Sequence, residues 1–344
     1  MADATVTAHG GGELQTVPLG TIVLVTGANG YIGAHVVDEA LSHGYVVRGV
    51  TRSEEKGRGL KQYAQAKYGA DRYEAVVVPD IEAEGAYDTV IKGVAGVIHV
   101  ASPVTIQGSA RQAIDAAVNG TLNILKAAKS EPSVRSVVIT SSSVASVLPS
   151  FEKAQKADHT TWNDVTYDEL AKQGFPDGNP AAAYYASKVR AERLAWKFYD
   201  EKKPQYKLNT LLPNVNLGRP LEYPGAQAAT TSAWIYDIIK GSRSVIDNVR
   251  SQWYVHVRDN AKLHVRALAD PSIRSERIWA AAAVFTWPEV LRILKELHPE
   301  LTLPDDPKQT KPDLTVVDNK RGEALLGGWT SLKDTLKEMG TSFP

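Results

Sequence analysis

Tyr184 and Lys188 stand four residues apart in the run AAAYYASKVRAERLAWKFYD, so on a helix they project from one face. A phenol held beside an ammonium has a defined chemistry. Reducing a carbonyl needs a hydride on carbon and a proton on oxygen. A tyrosine gives that proton, but the reverse reaction needs its phenolate, which is scarce when the free pKa is about 10. A neighbouring ammonium stabilises the phenolate and lowers that pKa. The same lysine can bind the ribose hydroxyls of a nicotinamide. A serine at the end of a neighbouring strand can hold the carbonyl oxygen, and Thr140-Ser141-Ser142-Ser143 offers three. Tyr185 adjoins Tyr184, yet only Tyr184 has the four-residue offset to Lys188.

The element that must bring a cofactor to this pair is the stretch TIVLVTGANGYIG, Thr21 to Gly33. Ile22 to Val25 reads as a short strand buried on both faces. Turn residues follow, and then Ile32, Val36, Val37, Ala40 and Leu41 fall at helical spacing, with Gly44 as a stop. A pyrophosphate at such a helix N-terminus is held by unpaired N–H groups and the positive end of the helix dipole. Gly27 and Gly30 let the backbone approach it, and Gly33 lets the helix pack on the strand. The spacing is G-x-x-G-x-x-G rather than G-x-G-x-x-G. The reading is a dinucleotide site formed by Gly27, Ala28, Asn29, Gly30, Tyr31, Ile32 and Gly33.

The second strand, Tyr45 to Val50, sets the cofactor choice. An acidic residue near its end would bind the adenosine 2′-hydroxyl of NAD, and none is present. Arg48, Arg52 and Ser53 are there instead, with Lys56 and Arg58 close by. Guanidinium groups match a phosphate in charge and geometry. NADPH/NADP+ is therefore expected, with Arg52 the first choice for the 2′-phosphate and Arg48 the second; the alternative is a solvated basic loop. After a third strand, Tyr73 to Val78, Asp80 is placed to accept from the adenine amino group and Ile81 to pack on the ring, although Asp80 serves equally as a helix cap. Ala86 to Lys92 reads as a short helix. Gly96 to Val100 is the fourth strand, with Val100, Ala101 and Ser102 at the mouth of the site. His99 inside it reads as a packed histidine. Ala113 to Ala128 is a helix with Asn119 and Asn123 on one face. Val137 to Ile139 is a fifth strand, and residues 149 to 182 form an irregular excursion with room for one short helix. Ala183 to Asp200 is a long helix, and Leu208 to Leu212 a sixth strand ended by Pro213-Asn214.

This repetition predicts an α/β, Rossmann-type doubly wound parallel sheet with a smaller C-terminal substrate lobe. Residues 1–16 read as a flexible tail and 17–215 as the NADP-binding domain. Part of 240–270 returns to that domain, and 216–344 form mainly the smaller lobe. The chain has 344 residues, 39 basic and 39 acidic side chains and no cysteine. That balance gives no support to a nucleic-acid or anionic-membrane partner, and it leaves no disulfide, thiol catalyst or cysteine metal site. No apolar run approaches the roughly 20 residues that span a bilayer, and the N-terminus lacks a signal-peptide pattern. A cytoplasmic enzyme without a metal, monomeric or homodimeric, is expected.

Several further motifs fall in a known order. The TGANGYIG turn, the TSSS run, YYASK, VNGTLN at Val118 to Asn123 and YVHVRD at Tyr254 to Asp259 resemble the extended branch of the short-chain dehydrogenase/reductase superfamily. VVRGVTR, GVIHVASP, VVITSSS and NTLLPN resemble its dihydroflavonol reductase-like group, and the likeness extends to the fungal and yeast NADPH-dependent aldehyde/carbonyl reductases. It runs from about Thr21 to Asp270. The resemblance implies Tyr184 as proton donor, Lys188 as its electrostatic partner and Ser142 as the polarising serine, with Ser143 the runner-up. It implies that Thr140, Pro213, Asn214 and Val215 lie at the cofactor. It implies a small carbonyl substrate in a pocket touching Pro103, Ile106, Ser143 and Trp234. A dihydroflavonol-type reductase or a nucleotide-sugar epimerase/dehydratase is the alternative on the same scaffold. The acidic residue usual in the epimerases is absent after strand two, and so is the cysteine-containing signature of the cinnamoyl-CoA reductases. A non-catalytic NADP(H) sensor would typically lack the Tyr/Lys pair.

Overall fold

Short apolar and β-branched runs pair into sheets throughout the computed structural model, which describes residues 15–102, 109–176, 178–226, 230–305, 307 and 311–341. The strands are β1 (Ile22–Thr26), β2 (Val46–Thr51), β3 (Tyr73–Val77), β4 (Val94–His99), β5 (Ser136–Thr140), β6 (Gln155–Ala157), β7 (Lys207–Pro213), β8 (Val215–Leu217), β9 (Gln252–His256), β10 (Arg277–Ala280), β11 (Ala283–Phe285) and β12 (Thr315–Val317). The helices are α1 (Tyr31–Ser42), α2 (Glu54–Tyr68), α3 (Ala110–Ser130), α4 (Asp164–Lys172), α5 (Pro180–Lys202), α6 (Thr230–Ile239), α7 (Ser244–Asn248), α8 (Val257–Ala269), α9 (Trp287–Leu297), α10 (Lys320–Leu326) and α11 (Leu332–Met339).

Seven strands form one parallel sheet in the order β10-β7-β5-β4-β1-β2-β3. Every residue of β4, β5 and β7 is buried, as parallel strands covered on both faces require. Side chains alternate across the sheet. Val23 and Val25 join one core with Val36 and Val37 of α1 and Leu263 of α8. Leu24 and Val97 join the other core with Ile124 and Leu125 of α3 and Ala195 of α5. The chain runs outward from β1 through β2 to β3, then restarts at β4 on the other side of β1. The loops after β1 and β4 therefore diverge, and a crevice opens at the C-terminal ends of these strands.

A third core lies outside this sheet. It gathers Leu217, Ile235, Ile246, Phe285, Leu294 and Leu336 from β8, α6, α7, β11, α9 and α11. Strands β8, β9 and β11 make its small sheet. From it α8 returns to pack beside α1, and β10 then completes the edge of the main sheet next to β7.

Two elements differ from expectation. Residues 86–92 form linked turns rather than a helix: Ala86, Asp88 and Val94 donate three residues back and only Ile91 donates four back. So short a stretch does not propagate a helix without outside help. The basic residues Lys56 and Arg58 lie in α2 rather than in a loop. Pro103 and Ile106 lie outside the described residues. Of the N-terminal tail, Gln15 and Thr16 are described, and the Thr16 N–H donates to the Ala269 carbonyl at 2.8 Å. Among the described residues no helix is long and apolar enough to cross a membrane.

Candidate active site

Helix α5 begins where the site begins. The Asn179 side chain accepts from the Ala182 N–H at 3.0 Å, and Pro180 occupies the first turn, so the start of the helix is fixed. Tyr184 opens the second turn and Lys188 lies one turn later. The Lys188 Nζ sits 5.9 Å from the centre of the Tyr184 ring and donates to the Thr140 carbonyl at 3.4 Å. Burial pulls the lysine down to about 8, opposed by the negative charge of Glu192. Tyr184 is raised from its ordinary value, chiefly by burial, while a hydrogen bond with Ser142 pulls the other way.

The serine run resolves into three different environments. Ser141 donates to the Glu192 carboxylate at 2.6 Å and is thereby committed. Ser142 lies against Tyr184, and its oxygen also accepts from the Val144 N–H at 3.4 Å. Ser143 begins a short 3-10 turn. Ser142, Ser143, Tyr184, Asn214, Val215 and Trp234 line one cavity of about 590 Å³ at the boundary with the smaller lobe. Trp234 also stacks edge-to-face on Trp287 in the third core. A hollow of similar size, about 620 Å³, lies along α5 beside Trp162, Trp196 and Trp279. Neither Tyr184 nor Lys188 lines that hollow.

The turn after β1 has the shape a pyrophosphate needs. Gly27 has φ +65°, and a Cβ there would lie 3.0 Å from the Ala101 backbone. A Cβ on Gly33 would lie 2.0 Å from the Gly27 carbonyl oxygen. Gly30 caps α1 without a side-chain hydrogen bond, and no acidic residue occupies the first turn, so its N–H groups face no competing carboxylate. Ala28 and Ile32 follow the turn into the core, and the Asn29 carbonyl accepts from the Tyr223 hydroxyl at 2.9 Å. The Tyr31 hydroxyl donates to the Gly218 carbonyl at 2.7 Å. Its side chain thus ties α1 to the segment after β8, and only its backbone remains for a cofactor.

Arg52 follows the last residue of β2, exposed, and no partner for its guanidinium is found among the described residues. Arg48 does not fit the phosphate role. Its guanidinium donates to Glu74 at 2.7 Å and to the Val90 and Lys92 carbonyls, both at 2.8 Å. Those carbonyls precede β4, so this arginine serves the opposite end of the sheet. Asp80 accepts from the Glu82 N–H at 2.8 Å, which makes it a turn residue with one oxygen still free of that bond. Ile81 packs over Gly120 of α3. Val100, Ala101 and Ser102 continue from β4, and Ala101 N–H donates to Thr26 Oγ1 at 3.1 Å. His99 shares a 2.8 Å hydrogen bond with the same hydroxyl and is pushed down to about 3 by burial, as a packed neutral histidine should be. The Thr140 hydroxyl bonds to His264 at 2.7 Å. Pro213 ends β7, and Asn214 accepts from the Val215 N–H at 2.7 Å.

Sequence placed Asn123 on a helix face without a role and passed over Glu192 altogether. Asn123 donates to the carbonyls of Ile81, Glu82 and Ala83 at 2.9 to 3.1 Å, fixing the turn after β3. Glu192 lies two turns beyond Tyr184 and one beyond Lys188. The four-residue spacing that singled out the pair also reaches it, and an acidic residue on a core-facing stripe was the available signal.

The model of the NAD dependent epimerase/dehydratase family matches residues 23–282. Aldehyde reductase 2 of Sporidiobolus salmonicolor is 38% identical over 333 residues, 94% of this chain and 96% of that protein. Ketoreductase adrE of Penicillium rubens is also 38% identical, covering 93% of this chain and 96% of the relative. The crystal structure of yeast methylglyoxal/isovaleraldehyde reductase Gre2 complexed with NADPH is 29% identical and superposes with a TM-score of 0.80, covering 93% of this chain and 97% of that one.

Proposed function

Because the chain belongs to the NAD dependent epimerase/dehydratase family, we propose that it is an NADPH-dependent carbonyl reductase that converts ketones or aldehydes to alcohols. The observation that carries this reading is the convergence of Ser142 and Tyr184 on one cavity, with Lys188 behind the tyrosine ring. The names of the relatives support the same reaction class.

The glycine turn from Gly27 to Gly33 would hold the pyrophosphate, Arg52 the 2′-phosphate and Lys188 the nicotinamide ribose, with Asp80, Ile81, Ala101, Ser102, Pro213, Asn214 and Val215 along the rest. When bound, the nicotinamide supplies the hydride. Tyr184 gives its proton to the substrate oxygen. Ser142 donates a hydrogen bond to that oxygen as negative charge develops on it. The Lys188 ammonium lowers the cost of the phenolate left behind. Leu148, Pro149 and Phe151 form an apolar wall and exclude water from the substrate.

The test is the loss of NADPH absorbance with a panel of aromatic ketones and β-keto esters. Tyr184→Phe is expected to lower kcat about 100-fold or more, the usual scale of a lost general acid, while NADPH binding by fluorescence stays within about twofold. A variant that keeps the parent rate would remove Tyr184 from the mechanism. Saturable turnover of a sugar nucleotide, with no ketone reduced, would replace the reading altogether.

A further inference from the structure

We propose that Glu192 is a positioning residue of this site: its carboxylate fixes the serine run that carries Ser142 and balances the charge of Lys188. The inference rests on the reading of Tyr184 as proton donor.

Glu192 is 2% exposed, and its carboxylate collects donors from four parts of the fold. Ser141 after β5 donates at 2.6 Å and Thr210 of β7 at 2.7 Å. Arg277 of β10 donates at 2.8 and 3.3 Å, and Trp196 of α5 at 3.3 Å. Arg277 is itself backed by Trp162, whose ring centre lies 3.6 Å from the guanidinium carbon. A buried ion pair is costly to desolvate, and an apolar replacement of the same shape is often at least as stable. Stability therefore gives little reason for this carboxylate, whereas geometry gives a specific one.

Ser142 has an extended backbone, φ −159° and ψ 153°. Ser141 bonds Glu192 and Ser142 bonds Tyr184, so both meet α5, two helical turns apart. Anchoring Ser141 on Glu192 thus holds the backbone from which Ser142 reaches Tyr184. The same carboxylate sits one helical turn from Lys188, and the two side chains line a common void of about 20 Å³ together with Ser141. One group therefore sets the serine and the lysine at once.

The groups facing Lys188 are Tyr184 and Glu192 of α5 and His99 of β4, with Arg277 of β10 beyond the carboxylate. From β5 comes the Thr140 carbonyl, from α3 the neutral Thr121, and His264 of α8 is bonded to the Thr140 hydroxyl. Glu192 is the only negative charge among them. Neutralising it leaves Arg277 unbalanced, and both effects make the lysine easier to deprotonate.

Two variants separate the two roles. Glu192→Gln keeps an acceptor for Ser141 but removes the charge; the alkaline limb of kcat for ketone reduction should move down by about 0.5 to 1 pH unit. Ser141→Ala keeps the charge and cuts the anchor; kcat should fall about 3- to 10-fold, with the limb unmoved and the KM values for ketone and NADPH within about twofold. A Glu192→Gln profile that superposes on the parent overturns the charge role. A Ser141→Ala kcat within twofold of the parent overturns the anchoring role, and this arm decides alone if Glu192→Gln does not fold. Tyr184→Phe in the same assay keeps the readings apart. If it retains full rate, the proton-donor reading fails first; if it is inactive and both other variants behave like the parent, only the role of Glu192 fails.

Discussion

Arg48 lies within β2 and Arg52 just past its end, four positions on, and they do different things. Arg48 spends its donors on Glu74 and two backbone carbonyls. Arg52 is exposed beside the N-terminus of α2, where Ser53 caps the helix. A charge-assisted contact to a phosphate contributes about 1.5–3 kcal/mol. Arg52→Ala should therefore raise the KM for NADPH about 10- to 100-fold and leave the KM for NADH nearly unchanged; equal effects on both cofactors would assign the phosphate elsewhere. Sequence ranked the two arginines in this order, but it had no way to see why Arg48 is occupied. One partner lies in β3 and two in the turns before β4, and where those turns run depends on the whole sheet. Tyr184 and Lys188 were legible because a helical offset is local. The committed state of Ser141 was not, because Glu192 is 51 residues away in the chain.

At the scale of elements, the strands of the main sheet were readable wherever they were continuous apolar runs. Helix α2 was not. Its sequence EEKGRGLKQYAQAKY is polar and carries two glycines, which look like breakers. The structure gives Gly59 a packing reason. A Cβ there would lie 1.6 Å from the Pro224 carbonyl oxygen, in the segment that follows β8. That segment is also pinned to the glycine turn and α1 by the Tyr31 and Tyr223 hydroxyls and by a 3.1 Å bond between His35 and the Arg219 carbonyl. Gly59→Ala must push α2 away from it. The expected outcome is a loss of about 1–3 kcal/mol in stability, as for other overpacked sites, together with weaker NADPH binding. Thermal unfolding and a fluorescence titration check both; unaltered binding with lowered stability would make the contact purely structural. Strand β10 was hidden for another reason: four residues, RIWA, carry no periodicity of their own and become a strand only against β7.

Across the whole molecule, three buried histidines share one behaviour. His99 is pushed down to about 3, and His35 and His264 to about 4, each mainly by burial. In the unfolded chain a histidine takes up its proton near pH 6.5. Above that both states are neutral and nothing is lost. Between about 6.5 and 4 the unfolded chain binds protons that the folded chain refuses, so stability falls as the pH falls. Tm should drop steadily from about pH 6.5 to pH 4.5; His264→Asn should flatten part of that slope, and an unaltered slope would take His264 out of the account. The strand–helix rhythm of the sequence stops after strand six, where the chain leaves the main sheet for the third core. The return of β10 was not legible in sequence, and it bears on how the chain comes off the ribosome. The large sheet cannot close its edge until Ala280 has emerged, long after Pro213. Through the synthesis of some sixty intervening residues, the open hydrogen-bonding side of β7 is a template that a neighbouring nascent chain can copy. The smaller lobe thus doubles as a delay, and the strand it postpones exchanges the seven-residue open edge of β7 for the four-residue edge of β10, too short to template much.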